Sequence, residues 1–234
     1  MAKADESFAA AYALAAIPAR YALERRDFAL AAGLAPHPPT FPWARFRQYE
    51  AITHFARAIG LARTGNVAEA KKAVDQLASI RLALADTKDT YWSDQVEIQR
   101  RSAAGEVARA EGNWQGALVL VRSAAELESQ TEKHPVTPGA VVPARELYAE
   151  FLMAMSEPDM ATALKEYEAS LAVSPHRFNA VSGAAKAANL ADNTTAAAKY
   201  YRALTSLAAA GDGTRAEIKE AETFLRKNGG AGKD

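Results

Sequence analysis

The chain has no cysteine, which removes thiolate metal sites, thiol nucleophiles and disulfide frameworks. What remains for metal or acid–base work is four histidines, His37, His54, His134 and His176, together with the acids. One set of these has suitable chemistry. His54, Glu97 and His134 would supply two imidazoles and a carboxylate, a donor set that suits zinc or a proton relay. They lie far apart in sequence, and no short ligand spacing such as H-x-x-x-H supports them. Glu50 stands one helical turn before His54, so a half-buried histidine bonded to that acid is the plainer expectation. No G-x-S-x-G, G-x-x-x-x-G-K-[ST], H-E-x-x-H or G-x-G-x-x-G occurs. The expectation is therefore no catalytic residue, no metal and no cofactor. The alternative is a small-ligand or metal-binding module, half of a larger enzyme, built on His54, Glu97 and His134.

The elements that must position any site are helices. The 234 residues include 56 Ala but only 11 Val and 6 Ile. Alanine is the strongest helix former and β-branched residues favour strands, so the composition is all-α. Equal numbers of basic and acidic side chains, 28 of each, exclude a general nucleic-acid coat and a basic membrane-surface protein. No stretch has the roughly 18 apolar residues needed to cross a bilayer. Phe8 to Ile17 is apolar for ten residues, but Asp5 and Glu6 precede it where a signal peptide carries positive charge. The run reads as a buried first helix of a cytoplasmic protein.

A repeat organises the helices. At an offset of 34 residues, Leu147 aligns with Val181, Ala154 with Ala188, Ala163 with Ala197 and Tyr167 with Tyr201. Two earlier units share the second half of this pattern. Gly112-Asn113-Trp114 leads to Ala117 and Val121, and Gly65-Asn66-Val67 leads to Ala70 and Val74. In each, Gly ends one helix and Asn caps the next. A degenerate first unit reads Arg26-Asp27-Phe28, then Ala31. Ala163 and Ala197 are expected at tight helix contacts, and Trp114 is expected to wedge, buried, against the adjacent helix. With Arg26, Gly65, Gly112, Pro158 and Asp192 as landmarks, the spacings are 39, 47, 46 and 34 residues. The surplus falls near Pro36–Pro42, Asp86–Thr90 and Thr131–Pro143, as long loops or as longer flanking helices. Trp43, Tyr91 and Trp92 are expected to anchor these loops rather than stack a ligand.

A helix-turn-helix unit repeating every 34 residues resembles the tetratricopeptide (TPR) repeat. The stretches Ala11–Glu24, Ala51–Arg57, Glu132–Gly139 and Pro175–Ala180 are similar to the C-terminal half of a group of longer bacterial TPR proteins. The resemblance covers nearly the whole chain. It implies a right-handed TPR-like α-solenoid of about five helix pairs plus a C-terminal capping helix, a bacterial source, and no particular activity. One domain would span 1–228, with a disordered tail at 229–234. TPR arrays bind ligands on a concave face lined by the first helix of each pair. Here that face would carry Gln99, Ser102, Glu106 and Arg109, then Arg145 and Tyr148, then Asn179, Ser182, Lys186 and Asn189. Its charged members are mostly cationic. The functional expectation is a non-catalytic scaffold for a protein or peptide. TPR domains that clamp a C-terminal carboxylate pair Lys with Asn, whereas the equivalent positions here include Phe55, Ile59, Ala149 and Gly183.

The two ends differ. Thr214-x-x-Glu217 reads as a capping box for a terminal helix with one polar face. The first helix is apolar on every side, so it is expected to be covered by a second copy of the chain in a symmetric dimer. Pro18 is expected to kink or break it.

Overall fold

The computed structural model describes residues 6–131, 139–211 and 214–228. Among these the only regular secondary structure is helix, and neighbouring helices such as α3, α4, α5 and α6, or α8, α9, α10 and α11, pack on one another. It divides into two compact units, Met1–Ala144 and Arg145–Asp234. The first contains α1 (Phe8–Glu24), α2 (Phe28–Ala32), a short 3-10 turn at Trp43–Arg45, α3 (Arg47–Arg63), α4 (Val67–Asp86), α5 (Thr90–Ala110) and α6 (Trp114–Gln130). The second contains α7 (Ala144–Ala154), α8 (Met160–Val173), α9 (Phe178–Leu190), α10 (Thr194–Leu207) and α11 (Ala216–Asn228). All five landmark residues fall between helices.

One backbone device makes five of the joints. A residue in the left-handed region stops the helix: Arg26 (φ 56°), Gly65 (84°), Lys88 (60°), Gly112 (80°) or Asp192 (57°). The next residue is always Asp or Asn. Its amide donates to the carbonyl five residues back, at 2.8–3.1 Å, closing the preceding helix as a Schellman motif. Its side chain then accepts the N–H three residues on: Asp27 from Leu30, Asn66 from Glu69, Asp89 from Trp92, Asn113 from Gly116 and Asn193 from Ala196. One residue thus ends one helix and begins the next. Only two of the five left-handed positions are glycine, which is why a search for glycine alone finds part of the pattern.

The caps fix a register. Four residues after the capping position of each pair's second helix stands an alanine with no exposed surface: Ala31, Ala70, Ala117, Ala163 and Ala197. In α8 and α10 a buried tyrosine follows one turn later, Tyr167 and Tyr201. Tyr167 fills the space above Gly183, where an added Cβ would lie 2.2 Å from the ring. Gly60 is as confined and meets main chain instead of a ring, since a Cβ there would lie 2.3 Å from the backbone nitrogen of Ala32. α3 and α2 therefore meet main chain to main chain.

Several expectations change. α4 and α5 are 20 and 21 residues long and only Thr87–Asp89 separates them, so of the two readings of the extra sequence there it is the longer helices that hold, not a loop. Helical geometry wins because no proline interrupts residues 67–110. α1 runs unbroken through Pro18. Trp114 is 38% exposed rather than wedged, because it sits at the first position of α6; its ring lies 6.0 Å below the Arg109 guanidinium. α11 begins at Ala216, just beyond Thr214. The Pro36–Pro42 segment is pinned by aromatics: Phe41, Trp43 and Phe46 are buried, and Trp43 Nε1 donates to the Pro38 carbonyl. Tyr91 packs on Trp92, and Trp92 on Tyr49. These rings are structural anchors. The tail from 229 lies outside the described residues.

Gly60→Ala should destabilise the protein by about 1–3 kcal/mol, because backbone cannot yield as a side chain does. Urea denaturation checks this; an unchanged midpoint would mean that α2 and α3 are not in close contact.

Candidate functional site

Of the three-residue set His54, Glu97 and His134, two members fall among the described residues. His134 lies outside them. His54 Nε2 stands 3.7 Å from Glu50 Oε1, the pairing expected from sequence. Glu97 is held by arginines instead. Its Oε2 accepts from Arg100 Nε at 2.7 Å, and its Oε1 accepts from Arg100 Nη2 at 2.8 Å and Arg101 Nε at 2.7 Å. Arg81 of α4 approaches to 3.5 Å. Burial pushes the Glu97 pKa up, but the hydrogen bonds and charges of Arg100 and Arg101 outweigh it and hold the group at about 2. A carboxylate so committed is neither a general base at neutral pH nor an open metal ligand. No group of three or more His, Cys, Asp or Glu suited to a metal occurs among the described residues.

The polar stripe read from the first helices is only partly open. On α5, Ser102 and Glu106 are buried. Glu106 binds Arg63 of α3 through both oxygens, at 2.8 and 2.5 Å, and also takes Arg109 Nε and Nη2 at 3.0 and 2.8 Å. Gln99 is half-buried, and its Oε1 is enclosed without a hydrogen-bond partner. The stripe faces α3 there rather than solvent.

In the second unit the same positions mostly make internal bonds. Arg145 pairs with Glu166. Its neighbour Glu146 is buried and accepts from Arg177 Nε at 2.8 Å. Asn179 is buried and accepts from Arg215 Nη2 at 3.0 Å; the Arg215 guanidinium also lies 3.7 Å above the Phe178 ring. Lys186 reaches Glu220 at 3.1 Å. Tyr148 is half-buried and Asn189 is exposed. Tyr200 donates to Glu168 and Tyr201 to Glu220, each at 2.8 Å. Burial and then the Glu168 carboxylate push the Tyr200 phenol up to about 12; the same causes, with Glu220, push Tyr201 up. Both phenols stay protonated and act as donors.

The sequence reading grouped Glu97 with His54 and His134, yet its Arg100 and Arg101 partners stand at i+3 and i+4, the spacing at which helix side chains meet. That signal was legible. The cross-helix partners Arg63 and Arg81 were not, since nothing local links them to α5. No family model, curated protein or solved structure matches the chain.

The Glu97 clamp has a pH signature. Its folded pKa, about 2, lies below the ordinary 4.5, so its contribution to stability is whole above about pH 4.5 and is lost as the pH falls through about 2. Because the arginines are about a third exposed, solvent screening trims the contribution to about 2 kcal/mol. Glu97→Gln should lose that increment at pH 7 and show a shallower fall in stability than wild type between pH 4.5 and 2. Denaturant titrations across that range test it; parallel acid limbs for the two proteins would refute it.

Proposed function

We propose that the chain is a non-catalytic, TPR-like right-handed solenoid that binds a protein or peptide partner. The observation that carries this reading is the repeated register: five helix pairs, each with a fully buried alanine four residues past an Asp or Asn cap. Repeat architectures stack such pairs to make extended binding surfaces, and the exposed positions on the first helices are free to vary with the partner. The titratable groups described above support it too, since they are tied up in ion pairs rather than set out as acid and base. Display of short random peptides against the immobilised chain tests the proposal. Saturable binding of a family of related peptides is expected; no enrichment, with the chain folded throughout, would overturn it.

A second copy is proposed to cover α1. Ala11, Ala15, Ala16, Ala19 and Ala22 face inward, while Ile17 (67% exposed) and Tyr21 (58%) stand outward at helical spacing beside half-buried Leu14. No charged residue lies between Ser7 and Ala19. Size-exclusion chromatography with light scattering should give twice the 25.0 kDa chain mass for the wild type and the single mass for Ile17→Lys. A wild-type monomer at high concentration refutes the dimer. No helix among the described residues is long and apolar enough to cross a membrane.

A further inference from the structure

We propose that Arg81, Arg100 and Arg101 form a receptor for a second carboxylate, supplied by an acidic segment of the peptide partner. This rests on the scaffold reading above and names the chemistry of its ligand. Three guanidinium groups from α4 and α5 surround one carboxylate, Glu97. A guanidinium carries five N–H donors in a planar fork. Arg100 spends two of them on Glu97. Arg101 spends one on Glu97 and one on the Ser123 carbonyl of α6. Arg81, at 3.5 Å, stands at the outer edge of hydrogen-bonding distance and reaches a carboxylate that already takes three shorter bonds. Asp94, a turn before Glu97, makes no ion pair within 4 Å. The cluster stays positive with Asp94 counted, in a chain whose overall charge is zero.

Position favours capture of an anion. The three arginine side chains are 36%, 28% and 32% exposed, whereas Glu97 is 12% exposed. The resident acid lies beneath and the unspent donors lie nearer to solvent. Glu97 holds the forks of Arg100 and Arg101 in place, so an incoming carboxylate meets donors that are already oriented. Guanidinium and carboxylate pair through two parallel hydrogen bonds, a geometry that Arg81 has open. The site differs from the first-helix stripe of Gln99 and Arg109, because residues 97 and 101 occupy the opposite face of α5 from 106.

Fluorescence anisotropy with three labelled peptides of equal length, rich in Glu, Gln or Lys, tests this on the full chain. The Glu-rich peptide should bind, and its affinity should fall with added salt. Arg81→Gln should weaken it by about tenfold, the loss of one charge-assisted pair. Glu97→Gln keeps an acceptor oxygen for the forks but removes the competing negative charge, so it should tighten binding, an effect that mere loss of packing cannot produce. Circular dichroism confirms that each variant is folded. If the Gln-rich peptide binds as well as the Glu-rich one, or the arginine variants bind as wild type does, the inference falls while the scaffold reading stands. If inorganic phosphate at equal concentration displaces the peptide, the cluster is a simple anion site and the inference falls. If neither these peptides nor the random library binds, both fall.

Discussion

Close approach between helices is the constraint on which the rest of this structure depends. Where neighbouring helices come closest, small residues make the room: Gly60 against the backbone of Ala31 and Ala32, Gly105 against Ala117 and Val121, and the fully buried Ala31, Ala70, Ala117, Ala163 and Ala197 of the second helices. Backbones brought this near leave little room for large aliphatic side chains. The burial of apolar surface therefore has to come from many small contributions, supplemented by rings that reach across, such as Tyr167 over Gly183. The high alanine content is the compositional trace of this packing as much as of helix propensity.

Thin helix contacts also account for the ion pairs. Arginine spans distances that short apolar side chains cannot, and its aliphatic stem covers surface while its head finds a carboxylate. Glu106, with no exposed surface, is acceptable only because Arg63 and Arg109 both bind it. A buried carboxylate with one partner removed would be strongly unfavourable. Glu146 with Arg177 repeats the arrangement in the second unit. Such pairs lock neighbouring helices in one relation, a role that requires no ligand.

The fold was legible from sequence where local chemistry decides it. The Asn caps at 66, 113 and 193, the small residues four positions on, and the joints at Arg26, Gly65, Gly112 and Asp192 could be placed because each depends on neighbours within a few residues. Two things could not. Whether Asp86–Thr90 forms a loop or a brief break between long helices depends on how far α4 and α5 extend, and propensity is continuous there. Which acid an arginine from another helix will meet depends on packing, so the Arg63 and Arg81 contacts were invisible while Glu97–Arg101 was not. Trp114 was misjudged for a related reason: its distance from the Asn113 cap fixes its face, and that face points outward.

The lengths of α4 and α5 fit the same joints without disturbing them. They exceed α10 and α9, of 14 and 13 residues, by six and eight residues. Two turns of α-helix contain about seven residues. The 14 residues added across the two helices together come to about four turns, so the pair lengthens while the joints at its ends keep their cap and their alanine. Each joint closes within six residues of chain, so it forms from contacts that are local in sequence. Local contacts form quickly in folding, and arrays of such units tolerate insertion between joints far better than within them. A chain built this way is free to evolve in reach while its hinges remain the same.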